Sequence, residues 1–210
     1  MKILITSGGT KIPIDSVRHI GNMSSGTFGS RIGYEALRAG HLVTFLHAQG
    51  SKTPLGLRFD GSEPVSMLIA KTASNIRDRM KYGRHIRLSG FSDFDSYENR
   101  LRDEVMFGDY DAVVLAAAVS DYDVVNKVDG KIRTKVNLTI DLKPLPKLIS
   151  RIRAWRPPLS SHMTLVGFKL LVSSTMAELT DAARASMVSN QCDIVIANDL
   201  RDIKASKHMI

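Results

Sequence analysis

The first fifty residues constrain the fold most. "KILIT" (Lys2 to Thr6) is a short, apolar, β-branched run that stops at Ser7, Gly8 and Gly9. That is the pattern of a buried strand ending in a glycine turn. After the loop "GNMSSGTFG" (Gly21 to Gly29), Phe28, Ile32, Ala36 and Leu37 recur at helical spacing, and Gly40 stands where a C-terminal cap glycine belongs. "LVTFLH" (Leu42 to His47) follows as a second strand. Parallel neighbours in a sheet need a crossover, and strand, loop, helix, strand is the unit that supplies one.

The later pattern extends this unit. "QGSKTPLG" is a loop, "SMLIAKTASNIRDRM" predicts a helix and "HIRLS" a short strand. "SYENRLRDEVMF" predicts a helix leading into "DAVVLAAAV" (Asp111 to Val119), the clearest buried strand, which ends at "SDYD". Residues 119 to 143 are polar and without helical period, an excursion from the sheet. "PLPKLISRIRAW" predicts a short helix with a proline start. "MTLVGFKL" is a strand, and "STMAELTDAARASMVSN" a helix capped by Ser173 or Ser174, with Met176, Leu179, Ala183 and Met187 on one face. "CDIVIAND" is the last strand. The expected fold is α/β: a doubly wound, mainly parallel, Rossmann-like sheet flanked by helices, in a single domain over residues 1 to 210.

Composition narrows the functional classes. With 210 residues, 43% of them hydrophobic, the chain is long and apolar enough for a sizeable core. No apolar run approaches the roughly 18 residues that span a bilayer, so no membrane partner is expected. The N-terminus enters a strand at once, without signal-peptide organisation. Cys192 is the only cysteine, which excludes an internal disulfide and fits a reducing cytoplasm. Lys and Arg outnumber Asp and Glu by 29 to 21, which favours anionic partners. The basic residues are scattered and only 6% of residues are aromatic, which argues against nucleic acid and for a phosphorylated small molecule.

In open α/β sheets, ligands sit beyond the carboxyl ends of the strands. Those ends carry "SGGT", "SDYD", "FKL" and "AND". Exposed amides at a helix start, as in "GNMSSGTFG", suit an anion. No phosphate-binding P-loop, G-x-G-x-x-G or G-x-S-x-G motif is present, and no acidic residue follows "LVTFLH" to hold a ribose. The six histidines lack metal-ligand spacing; His19, His47 and His85 read as surface or loop residues.

The combined pattern is more specific. "TSGGT-x2-PID-x2-R-x-I-x-N-x-SSG-x2-G" over residues 6 to 29, "AAAVSDY" at 116 to 122, "KI" at 131 to 132, "LKPLPKLI" at 142 to 149, "VGFKL" at 166 to 170 and "IAND" at 196 to 199 resemble, in family order, phosphopantothenate–cysteine ligase of coenzyme A biosynthesis, and the stand-alone type more than the fused one. The resemblance implies a two-step ligation. The carboxylate of 4′-phosphopantothenate attacks the α-phosphate of CTP or ATP with Mg2+, pyrophosphate leaves, and L-cysteine then displaces the nucleoside monophosphate from the acyl nucleotide. It also implies a homodimer in which the excursion completes the partner's site.

Site residues follow from the same resemblance, each beside a structural alternative. Lys131 matches the family lysine that neutralises charge at phosphorus; alone it would be a solvated loop lysine. Asn22 matches the asparagine that holds an acyl oxygen, or is a turn former. Gly8, Gly9, Ser24, Ser25 and Gly26 are placed at the nucleotide, though the serines equally suit a helix cap. Asp121 would meet the cytosine or ribose edge, or cap a turn. Ala116, Ala117 and Ala118 allow close ligand approach, or tight sheet packing. Phe168 would lie beside the base, or in the core. Arg18 would face a phosphate or pair with Asp15, and Asn198 would touch substrate or form a turn. No metal ligands are assigned. Ser186 and Asn190 stand where fused bacterial members carry basic residues, which leaves CTP and ATP both open. Family chains continue past "IAND" with a strand and a terminal helix, so a less covered sheet edge is expected. Two other classes remain: a short-chain-type nicotinamide reductase, although Tyr122 and Lys127 are one residue too far apart for its Tyr-x-x-x-Lys pair, and a non-catalytic nucleotide-binding module.

Overall fold

The computed structural model describes residues 1–57, 64–134, 137–157 and 162–201. The β-branched run of the N-terminus forms β1 (Lys2–Ser7), which is buried on both faces from Ile3 onward. Ile3 and Ile5 point into one core layer, with Leu37, Val43 and Phe45, and Leu4 into the other, with Tyr97, Leu101 and Val113. A strand apolar on both faces must lie inside a parallel sheet covered by helices on each side.

The sheet contains β1, β4 (Leu42–Ala48), β5 (Ile86–Phe91), β6 (Ala112–Leu115), β9 (Thr164–Leu171) and β10 (Ile194–Asp199). Every neighbouring pair is parallel and the order is β10-β9-β6-β1-β4-β5. Counting only these six strands, that is the doubly wound order 3-2-1-4-5-6, with its switch point between β1 and β6. Helix α1 (Thr27–Arg38) packs on β1 and β4, and α2 (Val65–Tyr82) connects β4 to β5. α3 (Phe94–Phe107) and the short α4 (Ile152–Trp155) meet each other over the second core layer, and α5 (Met176–Asn190) lies against β9 and β10.

Two hairpin-like pairs stand outside the sheet. β2 (Lys11–Pro13) pairs antiparallel with β3 (His19–Gly21), and β7 (Tyr122–Val124) with β8 (Leu142–Pro144). The second pair lies within and at the end of the polar excursion, so that segment is less irregular than its sequence implies. β2 packs against β7.

Several elements start or stop elsewhere than the sequence suggests. The "DAVVLAAAV" strand ends at Leu115, and the alanines follow it. "PLPKLISRIRAW" does not begin its helix at a proline: Pro144 ends β8, a 3-10 turn covers Leu148–Arg151, and α4 holds only four residues. Phe168 and Lys169 lie within β9, not after it. The cap of α5 is neither Ser173 nor Ser174 but Thr175, whose hydroxyl accepts from the Glu178 amide while the Glu178 carboxylate accepts from the Thr175 amide. Ser173 has φ 55, outside the extended backbone that a capping residue adopts, and Ser174 bonds Asp199 instead. His47 is a half-buried strand residue stacked on Phe45. Gly40 does terminate α1: with φ 83 it bonds Leu37 O while His41 N bonds Ala36 O. β10 is an edge strand, and the expected lack of cover there falls on 202–210, outside the described residues.

The start of α1 is pressed onto the end of β1. Ser7 Oγ donates to Gly26 O at 3.1 Å, and a Cβ added at Gly29 would lie 2.4 Å from Ser7 Oγ and 2.7 Å from Ser7 Cβ. Gly29→Ala is therefore expected to cost about 1–3 kcal/mol of stability through overpacking. The check is a lowered urea midpoint with an unchanged slope.

Candidate active site

The switch point is built by bonds that continue past the strands. Ala118 N donates to Gly8 O at 2.7 Å, and Ala118 O accepts from Thr10 N at 3.2 Å and from Asn22 Nδ2 at 3.0 Å. Thr6 Oγ1 accepts from Ala117 N at 3.2 Å and from the Tyr97 hydroxyl at 3.3 Å. Burial pushes the Tyr97 phenol up to about 12, so it stays a neutral donor. Thr10 Oγ1 accepts from Ser120 N at 2.8 Å and shares a hydrogen bond with Ser120 Oγ at 2.9 Å. "TSGGT" and "AAAVS" thus hold each other backbone to backbone.

Three clefts run along this edge and share residues at their borders. The first, of about 520 Å3, is lined by Gly9, Thr10, Lys11, His19, Gly21, Asn22, Ser24 and Ser25, and by Ala48 to Ser51 after β4. The second, of about 230 Å3, continues from Gly21 and Asn22 to Val119, Ser120 and Asp121. The third, of about 210 Å3, continues from those three residues between β6, β9 and α3 to Lys147 and Phe168. Asn22 sits at the first junction and Asp121 at the second.

The candidate residues separate into groups. Gly9, Asn22, Ser24, Ser25, Ala117, Asp121 and Phe168 line the groove. Gly8 and Gly26 face protein: an added Cβ would lie 2.6 Å from Ala48 Cβ at the first and 3.0 Å from Ser51 Cβ at the second, and both have positive φ. The N-cap of α1 is Gly26, which has no side chain to cap with; Ser25 Oγ accepts from the Thr27 amide only at 3.4 Å and shares a hydrogen bond with Thr27 Oγ1 at 2.7 Å. Ala116 and Ala118 are outside the lining of these three clefts, and the Ala118 peptide is already bonded within the protein. Phe168 packs edge-to-face on Phe28 at 5.4 Å, so it serves the core and the groove together. Asn198 pairs with Leu170 inside β10, away from these lining residues.

Arg18 pairs with Asp15 at 2.8 Å and also donates to Ile132 O at 3.3 Å. Asp15 accepts from the amides of Val17, Arg18 and Ile132. Burial works to raise the Asp15 carboxyl, but those amides and the guanidinium outweigh it and hold it below the usual carboxylate range. This knot fastens the excursion to the β2–β3 turn, with Ser16 N on Gly130 O and Val128 N on Ile14 O as further ties. Lys131 is exposed and outside the lining of the three clefts.

Thr6, Thr10, Ser120 and Lys147 stand in the quoted motifs without a role of their own there, and Gln49 and Ser51 read only as loop residues. Hydroxyls directly after strand ends were the available signal for the threonines and Ser120. Lys147, which is ion-paired with Asp121, lies in the "LKPLPKLI" motif, though nothing in that motif separates it from Lys143. Ser186 and Asn190, at the positions compared with basic residues, bond each other through Asn190 Nδ2. Lys127 pairs with Asp123 at 2.8 Å, so it is not the partner of Tyr122 that a reductase needs. Among the described residues, no group of three or more His, Cys, Asp or Glu could hold a metal, and no helix is long and apolar enough to cross a membrane.

Strand order, switch-point groove and uncapped helix start define a Rossmann-like α/β protein. Within that class, the chain belongs to the family described as the DNA/pantothenate metabolism flavoprotein C-terminal domain, whose profile matches residues 1–81 and 98–208. It is 32% identical over 200 residues to a coenzyme A biosynthesis bifunctional protein of Thermococcus kodakarensis, covering 95% of this chain and 41% of that one. The chain thus spans less than half the length of that relative. It is 28% identical over 235 residues to phosphopantothenate–cysteine ligase of Mus musculus, covering 97% of this chain and 73% of that one. A solved structure of a Cab2 mutant in complex with phosphopantothenate-cysteine superposes with a TM-score of 0.76 at 26% identity, over 96% of this chain and 73% of the other. The DNA/pantothenate metabolism flavoprotein of Streptococcus pneumoniae gives 0.74 at 28% identity, over 96% and 83%.

Folding lowers the Asp15 pKa, so its contribution is complete above the unfolded carboxylate range near about 4 and is lost as pH falls through the folded value. Asp15→Asn should lower the urea midpoint by a constant amount above about pH 5, and the gap to the parent should close as the medium is acidified below about pH 4. A gap that persists unchanged in acid would show that the carboxylate's charge is not what holds the excursion.

Proposed function

We propose that this chain is a phosphopantothenate–cysteine ligase, acting as a single ligase domain in a reducing, cytoplasmic setting. The observation that carries this is the continuous groove at the switch point, with Asn22 where two clefts meet, in a chain of this family. The names of the mouse relative and of the Cab2 complex support the substrates. In the first step a carboxylate oxygen of 4′-phosphopantothenate attacks the α-phosphorus of CTP or ATP, and the bond to pyrophosphate breaks. In the second, the cysteine amine attacks the acyl carbon, loses a proton, and the nucleoside monophosphate leaves.

The residues suit these tasks. The start of α1 points its positive end at the first cleft, and Ser24 and Ser25 line that cleft, with Ser25 Oγ held only by Thr27, a set that suits an anion. Asn22 places a neutral amide between the clefts, where it can orient the acyl oxygen. Among the described residues no group of three or more His, Cys, Asp or Glu could cage a metal, so Mg2+ would be held mainly by the oxygens of the triphosphate. The cation this chain contributes at phosphorus is Lys131. Its exposed place outside its own groove supports a homodimer in which the excursion reaches the partner's site.

These roles separate by step. Losing one such contact typically costs roughly 3–4 kcal/mol of barrier, about a hundred- to a thousandfold in rate. Lys131→Gln is expected to slow acyl-nucleotide formation by that amount, seen as pyrophosphate release without cysteine. Asn22→Ala should still form the acyl nucleotide and accumulate it, followed by mass after trapping. Accumulation in Lys131→Gln at the parent's rate would overturn the assignment.

Assembly is tested by mixing the two variants. If the groove is completed across a dimer, exchange of subunits creates one site with both residues intact and activity returns. A mixture that stays as inactive as its components, with exchange verified by light scattering of tagged chains, would place Lys131 in its own subunit's site.

A further inference from the structure

None of the 18 residues of α2 is buried, although an amphipathic helix ordinarily turns its apolar stripe to the core. The face that α2 turns inward is held largely by hydrogen bonds. Asn75 Nδ2 donates to Leu55 O at 3.1 Å, Arg79 Nε donates to the same oxygen at 2.9 Å, and Asp78 accepts from the Tyr34 hydroxyl at 3.0 Å. The apolar stripe points elsewhere. Val65, Ile69, Ala73, Ile76 and Met80 follow at steps of four, four, three and four. At about 100° per residue that confines them to an arc of about 80°. Their four large side chains are 52% to 80% exposed. Single exposed apolar residues are ordinary, but a row of them along a whole helix marks an interaction surface.

We propose that this stripe seats a second copy of the chain, through an antiparallel contact between the two α2 helices. A two-fold contact requires a surface that is its own complement, and the row fits itself. With the axis between Thr72 and Ala73, Val65 lies level with Met80 of the other copy and Ile69 with Ile76, while the small Ala73 lets the backbones approach. Charge selects the same arrangement. Arg77 and Lys81 flank the stripe on one side, and in a parallel pair each would meet its own copy. In the antiparallel pair the two Arg77 residues stand about 13 Å apart along the axis, beyond the screening length of about 8 Å at physiological salt. An anionic surface would also satisfy these cations, but it makes no use of the two-fold spacing. A contact one helix wide and about 27 Å long is small beside the roughly 800 Å2 per partner of a stable interface, so the pairing depends on concentration. It is separate from the excursion contact proposed above and stands with or without it. Where both form, the assembly grows past two copies.

The test is cross-linking of the full chain through introduced cysteines with a short thiol-reactive linker. Cys192 is buried, and the parent is the control. Ala73→Cys should link to itself, because both copies stand beside the axis. Val65→Cys alone should not, since its copies lie about 22 Å apart along the helix; mixed with Met80→Cys it should link to that variant. Light scattering over a concentration series should show the parent reaching about twice the mass of Ile76→Glu at the same concentration, since that variant sets a carboxylate against Ile69 of the other copy. Circular dichroism checks that the variant is folded, and Ile69→Glu carries the same test should it fail. No link in Ala73→Cys, equally efficient self-linking of Val65→Cys, or a mass rise that folded Ile76→Glu leaves unchanged would overturn the proposal. Binding of the parent to phosphatidylglycerol vesicles that Ile76→Glu abolishes, without self-linking of Ala73→Cys, would give the face to a lipid surface and overturn it as well. With the Ala73→Cys link formed, Ile76→Glu left as a monomer would sink the excursion dimer and leave the α2 contact standing; Ile76→Glu left as a dimer supports both.

Discussion

The hydrogen bonds that tie "TSGGT" to "AAAVS" are the constraint on which the rest of the molecule depends. In a doubly wound sheet the chain turns opposite ways on either side of the switch point, so the two central strands diverge from their connections there and leave a crevice. Here the crevice is kept narrow and ordered because Ala118 spends both its amide and its carbonyl on the β1 side, to Gly8, Thr10 and Asn22. Thr6 and Thr10 add side-chain bonds in the same place, over a tyrosine that burial keeps neutral. Buried polar groups of this kind are costly when unpaired and rigid when fully paired. A groove floored by them is pre-organised.

The glycine- and alanine-rich segments around that floor divide by role. Gly8 and Gly29 are glycine because Ala48 and Ser7 leave no room for a Cβ, and Gly26 because its φ of 75 disfavours any side chain, with Ser51 also close. They bring α1 and the loop after β4 against the end of β1. Only then do Gly9, Ser24 and Ser25 open on a cleft. Binding and packing are therefore served by adjacent residues of one motif, and a motif alone does not tell which is which. The Asp15–Arg18 knot works in the same way at a distance. It lines none of the three clefts, yet it ties the excursion to the β2–β3 turn beside the groove.

Much of the fold was legible in the sequence. The six sheet strands and the longer helices followed from β-branched runs and helical spacing, and Gly40 from its place after Leu37. The failures have local causes. "AAAV" read as strand because alanine and valine suit a buried sheet, but the backbone there leaves the β6–β9 ladder to bond the first loop. Ser173 and Ser174 read as caps because serine suits that position, but Asp199, far off in sequence, claims Ser174. The proline start of α4 failed because Pro144 is the end of a strand that pairs with β7, a partner some twenty residues back. In the candidate site, Asn22, Ser24, Ser25 and Asp121 were legible from motif and position. Lys147 stood inside the "LKPLPKLI" motif, but only the fold shows that it, and not Lys143, is set against Asp121.

The order of apolar runs and glycine breaks determined, by itself, that this chain builds a parallel α/β sheet, because strand and helix periods are local and a strand apolar on both faces has few places to lie. It also determined which loops stand at the carboxyl ends of strands. Only the tertiary structure decided which residues of those loops face a ligand and which face protein, that the clefts join into one groove, and that Asp121 and Lys147 share its far end. Those outcomes depend on contacts between segments far apart in the chain, where the distance between two side chains is set by packing and not by their spacing in sequence.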